Sequence, residues 1–239
     1  MSGVSTALIV ALAVWTFKAT NRGDRARRAV LASVFFLVTE ALLGAALVLG
    51  GYVEHNISTA RVVMQSIHFT NTMMLLGALG LTSWWLSTAA SPGGSPRRAP
   101  SLAWPAWIAI VTTVIVGATG AVAALADTLF PSPSLQAALA ADFASTAPLL
   151  VRMRWMHPAA ALIGFCCVLW IVMRVRSTLG WVVAGLLGLQ SLLGLADVLL
   201  LAPTWMQIVH LLGADLYWIA LVALAAELIW PEKDAAISS

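Results

Sequence analysis

The chain has 239 residues, of which 61% are hydrophobic and only 10% charged, and its mean hydropathy is +0.92. There are too few polar residues to cover an aqueous surface, which excludes a soluble globular domain and defines an integral membrane protein. The formal charge of +3 and the pI near 9.3 do not point to nucleic acid, because Lys and Arg cluster in short segments between apolar runs, where they orient helices.

A membrane-spanning helix needs about 20 apolar residues. The first apolar run, Val4 to Phe17, falls short of that. Its charges, Lys18, Arg22, Arg25, Arg27 and Arg28, follow it instead of preceding it, so it reads as the second part of a helix and not as a secretory signal. Six full-length spans come next: Ala29 to Leu49, Val62 to Leu86, Trp104 to Leu125, Leu149 to Met173, Thr178 to Leu201 and Thr204 to Leu228. The expected fold class is an all-α membrane protein of seven apolar helices. Cys166 and Cys167 are adjacent inside one apolar run, read as packing residues and offer no disulfide framework.

Basic residues mark three alternate loops as cytoplasmic: Lys18 to Arg28, Arg97 with Arg98, and Arg174 with Arg176. Gly50 to Arg61, Ala126 to Pro148 and the Ala202-Pro203 turn are then external. This places the amino terminus outside and the tail, Pro231 to Ser239, inside. His68, His157 and His210 fall six to eight residues in from the outer ends of their helices, a depth of about 9 to 12 Å at the helical rise. Imidazoles at matched depth in hydrocarbon point to bis-imidazole ligation of a heme iron, which satisfies one ring nitrogen while the other bonds a neighbouring carbonyl. The bland alternative is a histidine bonded to a hydroxyl or backbone group between helices.

An internal repeat underlies the pattern. Glu40-Ala41-Leu42-Leu43-Gly44-Ala45-Ala46-Leu47-Val48-Leu49 matches Gln190-Ser191-Leu192-Leu193-Gly194-Leu195-Ala196-Asp197-Val198-Leu199, and each is followed by an external turn and a histidine helix. His68 therefore corresponds to His210, while the counterpart of His157 falls at about residue 3 or before it, where there is no histidine. The chain reads as two pseudo-repeated four-helix bundle halves with the first incomplete. The first half is residues 1–90 and the second 104–230. A flexible cytoplasmic linker at 91–103 joins them, and a tail at 231–239 follows.

Four stretches carry a resemblance. They are the run from Gly117 through Asp127 to Pro131, Leu150-Val151-Arg152-Met153-Arg154-Trp155-Met156-His157-Pro158, Leu192-Leu193-Gly194, and Ile208-Val209-His210-Leu211-Leu212-Gly213-Ala214. Together they resemble the heme A synthase family over nearly the whole chain. The resemblance implies eight helices in two halves, each with a histidine pair for one heme. It implies a heme b in the second half and oxidation of the C8 methyl of heme O to a formyl group in the first. By position, His157 and His210 would be the axial ligands of the second site and His68 a ligand of the first, catalytic site. The family's other first-half ligand and a catalytic glutamate belong upstream of Met1, and the external-loop cysteines of some members are missing here. Either the true start lies upstream of Met1 or only the second heme site is retained. The former is preferred, because a bare half-helix at an external amino terminus is poorly suited to insertion.

Arg152 and Arg154 lie at the outer mouth of the His157 helix, and Arg61 holds the corresponding place before His68. Each reads either as a partner for heme propionates or as a snorkelling interfacial arginine. Glu40 lies near mid-membrane and has the neutral Gln190 as its repeat counterpart, which favours a structural hydrogen bond over proton handling. Asp215 is also deep, with Tyr217 or a facing helix as its expected partner, and His55 reads as solvated. Trp155 and Trp205 mark the outer boundary, and Trp84, Trp85, Trp104, Trp107, Trp181 and Trp230 the inner one. The implied partners are membrane lipid, a supplier of heme O and an electron donor in a bacterial plasma membrane, with no nucleic acid and with homo-oligomerisation left open. The alternative is a non-catalytic heme-binding or electron-transfer protein with one bis-histidine site. A transporter is disfavoured by the lack of a broken helix or buried charge pathway.

Overall fold

The computed structural model describes residues 3–53, 56–89 and 100–230. Among the described residues there are α-helices and one short 3-10 turn, and no strands. The helices are α1 (Gly3–Ala19), α2 (Arg25–Leu49), α3 (Thr59–Ala89), α4 (Ala103–Leu129), α5 (Leu135–Phe143), α6 (Leu149–Arg152), α7 (Met156–Val175), α8 (Thr178–Leu199) and α9 (Thr204–Ile229). Six stretches are long and apolar enough to cross a membrane, with Leu149–Val175 taken as one of them. The chain is thus a multi-pass membrane protein. At 17 residues α1 is shorter than these spans. The loop residues Glu54 and His55, the linker arginines Arg97 and Arg98, and the tail lie outside the described residues.

Helix ends follow local chemistry. The Asp24 side chain accepts from the Ala26 amide and starts α2, and Ser177 accepts from Gly180 N and starts α8. Between α1 and α2, Arg27 bonds Phe17 O and Thr20 O and stacks on the Phe17 ring, so a cation caps the carbonyl end of α1. The single expected helix from Leu149 is interrupted. The amides of Arg154, Met156 and His157 each reach back three residues, and Pro158 has no amide to offer the regular ladder. The helix α5 lies in the connection between α4 and α6, where apolar run length predicts no span. Ser134 starts it by accepting from Ala137 N at 3.2 Å.

Helices α4, α7, α8 and α9 close a four-membered ring, each packing on the next, so that α7 and α9 face each other across it. On the other side α1 packs on α2 and α2 on α3, and this layer joins the ring through α3, which touches both α4 and α9. In a bilayer such contacts depend on close fit and internal polar bonds, because lipid is as apolar as the helices themselves. Trp218 lies on Gly77 of α3 and donates its indole N–H to Met73 O at 2.7 Å, and Thr113 bonds Tyr217 at 3.1 Å. At the end of α9 away from His210, Arg25 donates to Trp230 O at 2.7 Å, and Trp230 meets Trp85 and Trp107 edge to face. Cys166 is exposed on the outside of α7, so it is not the packing residue expected, whereas Cys167 is half-buried.

Candidate functional site

His157 enters at the start of α7, just after the interrupted turn. Its Nδ1 lies 3.0 Å from Val116 O of α4. A carbonyl only accepts, so Nδ1 carries the proton and Nε2 keeps its lone pair. His210, one and a half turns into α9, has its Nε2 3.2 Å from the side-chain amide nitrogen of Gln190 in α8. His210 Nδ1 and Gln190 Oε1 are buried and have no hydrogen-bond partner among the described residues. Each such atom costs about 1–3 kcal/mol, so the protein alone leaves this centre incomplete.

The two imidazoles face each other across the ring, with centroids 6.3 Å apart and planes at 79°. Two imidazoles on opposite sides of one metal, each bonded at about 2 Å, hold their centroids roughly 6 Å apart. Each ring also rests on a glycine of the neighbouring helix, Gly120 in α4 and Gly194 in α8. No group of three or more His, Cys, Asp or Glu side chains able to hold a metal is found among the described residues. A porphyrin, which brings four equatorial nitrogens of its own, needs only two protein ligands. The residues present fit that group.

His68 lies in the other layer and meets a different partner. Its Nε2 is 3.5 Å from Glu40 Oε1 of α2, and its Nδ1 is buried without a partner among the described residues. The buried Glu40 carboxylate accepts from Asn71 Nδ2 at 2.7 Å and from Thr72 Oγ1 at 2.6 Å. Thr39 in turn donates to Asn71 Oδ1. Thus Glu40 is the centre of a polar network joining α2 to α3, and sequence reasoning missed its contact with His68. Beside His68, Gln65, Thr72, Leu211 and Asp215 help to line a cavity of about 240 Å³ between α3 and α9. Tyr217 bonds Thr113 rather than Asp215, which corrects one expectation.

The α2–α3 and α8–α9 hairpins match in detail. Glu40 stands to His68 as Gln190 stands to His210, and Gly44 lies against the His68 ring as Gly194 lies against His210. The turns agree as well. Gly51 and Leu201 have φ of 67° and 64°, and Tyr52 N and Ala202 N reach back to Leu47 O and Asp197 O at 2.9 and 2.8 Å.

The arginines are placed unequally. Arg154 is buried, donates to Asp142 Oδ1 at 2.8 Å, Asp127 Oδ1 at 2.7 Å and Ala138 O at 3.1 Å, and so ties α5 to α4 and α7. Its guanidinium is already engaged by two carboxylates that the sequence reading did not assign to it. Arg152 is exposed at the carboxyl end of α6. Arg61 sits in the first turn of α3 and donates to Asn56 O at 2.8 Å.

The profile of the COX15-CtaA family, described as cytochrome oxidase assembly protein, matches residues 1–222. Two curated relatives from two strains of Thermus thermophilus, both named protoheme IX farnesyltransferase, are each 38% identical to this chain over 235 residues. The match covers 94% of this chain but 38% of each relative, so the chain spans well under half the length of the curated relatives it matches. No solved structure matches this chain.

Proposed function

This chain belongs to the cytochrome oxidase assembly protein family, the heme A synthase family that its sequence resembles, and from that premise we propose that it acts in heme A biosynthesis. In this reading it oxidises the C8 methyl of heme O to a formyl group, with a heme b held by His157 and His210. The observation that carries the reading is the separation of 6.3 Å between two imidazoles facing each other across a helical ring. Bound iron porphyrin would supply the electron transfer and the oxidising chemistry.

The chain's own residues set the conditions for that chemistry. Val116 O fixes the tautomer and the rotation of His157, while the Gln190 amide donates to His210 Nε2, a bond that ligation through that nitrogen would replace. Arg152 and Arg61 are the propionate partners in this reading, and Arg154 is the strut beside them. His68 is the ligand at the first site, with Glu40 at its Nε2. The relatives' printed name concerns prenyl transfer to protoheme, a porphyrin of the same class as the proposed substrate. The partners are then a supplier of heme O, an electron donor and the surrounding lipid.

The architecture proposed is two pseudo-repeated four-helix halves, residues 1–90 and 104–230, with the first incomplete. A cytoplasmic linker at 91–103 joins them and a tail at 231–239 follows. The amino terminus lies outside a bacterial plasma membrane. The matched hairpins support the repeat, and the flanking arginines support the orientation.

A second reading, a non-catalytic heme or electron-transfer protein with one site, is favoured by one observation. Of the three described histidines only two face each other, and His68 faces a carboxylate. One preparation tests both. Protein purified in detergent should show a low-spin heme spectrum that His157→Ala and His210→Ala each abolish, and an unchanged spectrum in both removes the ligand assignment. Conversion of added heme O to a formyl product, read by mass, selects the enzyme. Retained heme without conversion selects the second reading.

A further inference from the structure

All three described histidines rest on a glycine of a neighbouring helix, but with very different clearances. A methyl group built on Gly194 meets His210 Cε1 at 2.8 Å, and one on Gly120 meets His157 Cε1 at 3.0 Å and Nδ1 at 3.2 Å. One on Gly44 meets His68 Cε1 at 3.8 Å, an ordinary contact. The two tight positions belong to the two rings that face each other. Neither ring can retreat freely, since His157 is fastened to Val116 O and His210 to the Gln190 amide. Nor does α8 need glycine everywhere, because a methyl at Gly185 or Gly188 of the same helix meets nothing within 4 Å. Glycine is the weakest helix former after proline, and in α8 the one that contacts a histidine ring is Gly194.

We propose that Gly120 and Gly194 are positioning residues, whose missing side chains set how deeply the two imidazoles seat and hence the spacing at which one iron porphyrin engages both. The inference rests on the paired-histidine reading above. A methyl at either position pushes the Cε1 edge of a ring, which lies between its two nitrogens. The ring must then turn, and its ligating nitrogen leaves the line to its partner. Cores that gain a methyl group against fixed neighbours pay through such displacements.

The test uses the full chain purified with heme, comparing wild type with Gly194→Ala, Gly120→Ala, Gly44→Ala and Gly188→Ala. Helicity and monodispersity are measured alongside spin state and carbon monoxide binding to the ferrous form. Wild type should be low-spin and should not bind carbon monoxide. Gly194→Ala should lose about tenfold in its low-spin fraction and gain carbon monoxide binding, with a smaller loss for Gly120→Ala. Gly44→Ala and Gly188→Ala should match wild type. Low-spin, carbon monoxide-inert spectra in both tight-site variants overturn the proposal. So does loss of fold in both while Gly188→Ala folds, since the glycines would then serve packing alone. A wild type without low-spin heme defeats the paired-histidine reading itself, and the proposal with it.

Discussion

The hairpins α2–α3 and α8–α9 share a backbone frame, down to a left-handed residue at the same place in each connecting turn, yet each prepares its histidine for a different neighbour. In α8–α9 a neutral amide holds His210, and a second imidazole waits across the ring. In α2–α3 a buried carboxylate holds His68, and Asn71 and Thr72 complete its hydrogen bonds. A change from amide to acid at one position therefore separates a site that collects a second ring from a site that collects a polar network. A shared frame fixes where an imidazole sits, and the residue behind the ring decides which neighbours it can take.

Substitutions can break or sharpen this contrast. The largest effect should come from the histidines themselves. His210→Ala abolishes the low-spin absorbance and His68→Ala leaves it in place, and equal loss in both would erase the distinction. Next is Arg154→Ala, which strands Asp127 and Asp142 beside each other and should cost roughly 3 kcal/mol in a mild-detergent unfolding titration. Arg154→Lys should recover little of this, because an ammonium cannot span both carboxylates and Ala138 O. Glu40→Leu strands one N–H of Asn71, whose other N–H keeps Phe36 O, while Thr72 falls back on His68 O, a loss of about 2 kcal/mol in the same titration. Glu40→Gln makes the first hairpin resemble the second and should cost about half as much. Smallest is Thr113→Val, which removes one interhelical bond to Tyr217 and should cost about 0.6 kcal/mol.

Much of the frame was legible because membrane spans and turns are written in one dimension. Apolar run length located the six spans, and equal depth along three runs singled out the histidines. The Glu40/Gln190 match exposed the correspondence of the hairpins. What stayed hidden depends on helix rotation and register, which an all-round apolar helix does not reveal. Glu40 and His68 were each noted, but their meeting across the hairpin was not. Arg154 reads from sequence as either a propionate partner or a snorkelling arginine, because nothing in one dimension brings Asp127 and Asp142 to it. For α5, which carries Asp142, the available signal was Ser134, a helix-starting side chain ahead of an alanine-rich run. The interruption before α7 was signalled by Pro158, and hydropathy read straight through it.

More of α9 is buried than of any other spanning stretch, since it touches the ring helices α4 and α8 and also α3 of the opposite layer. It is also synthesised after all eight helices before it. Pairs such as α2–α3, α3–α4 and α4–α7 pack without α9, whereas the four-membered ring has no closure until α9 joins α4 to α8. The contacts that close the ring through α4 and α8 can thus form only once α9 has entered the membrane, whatever order the other helices take.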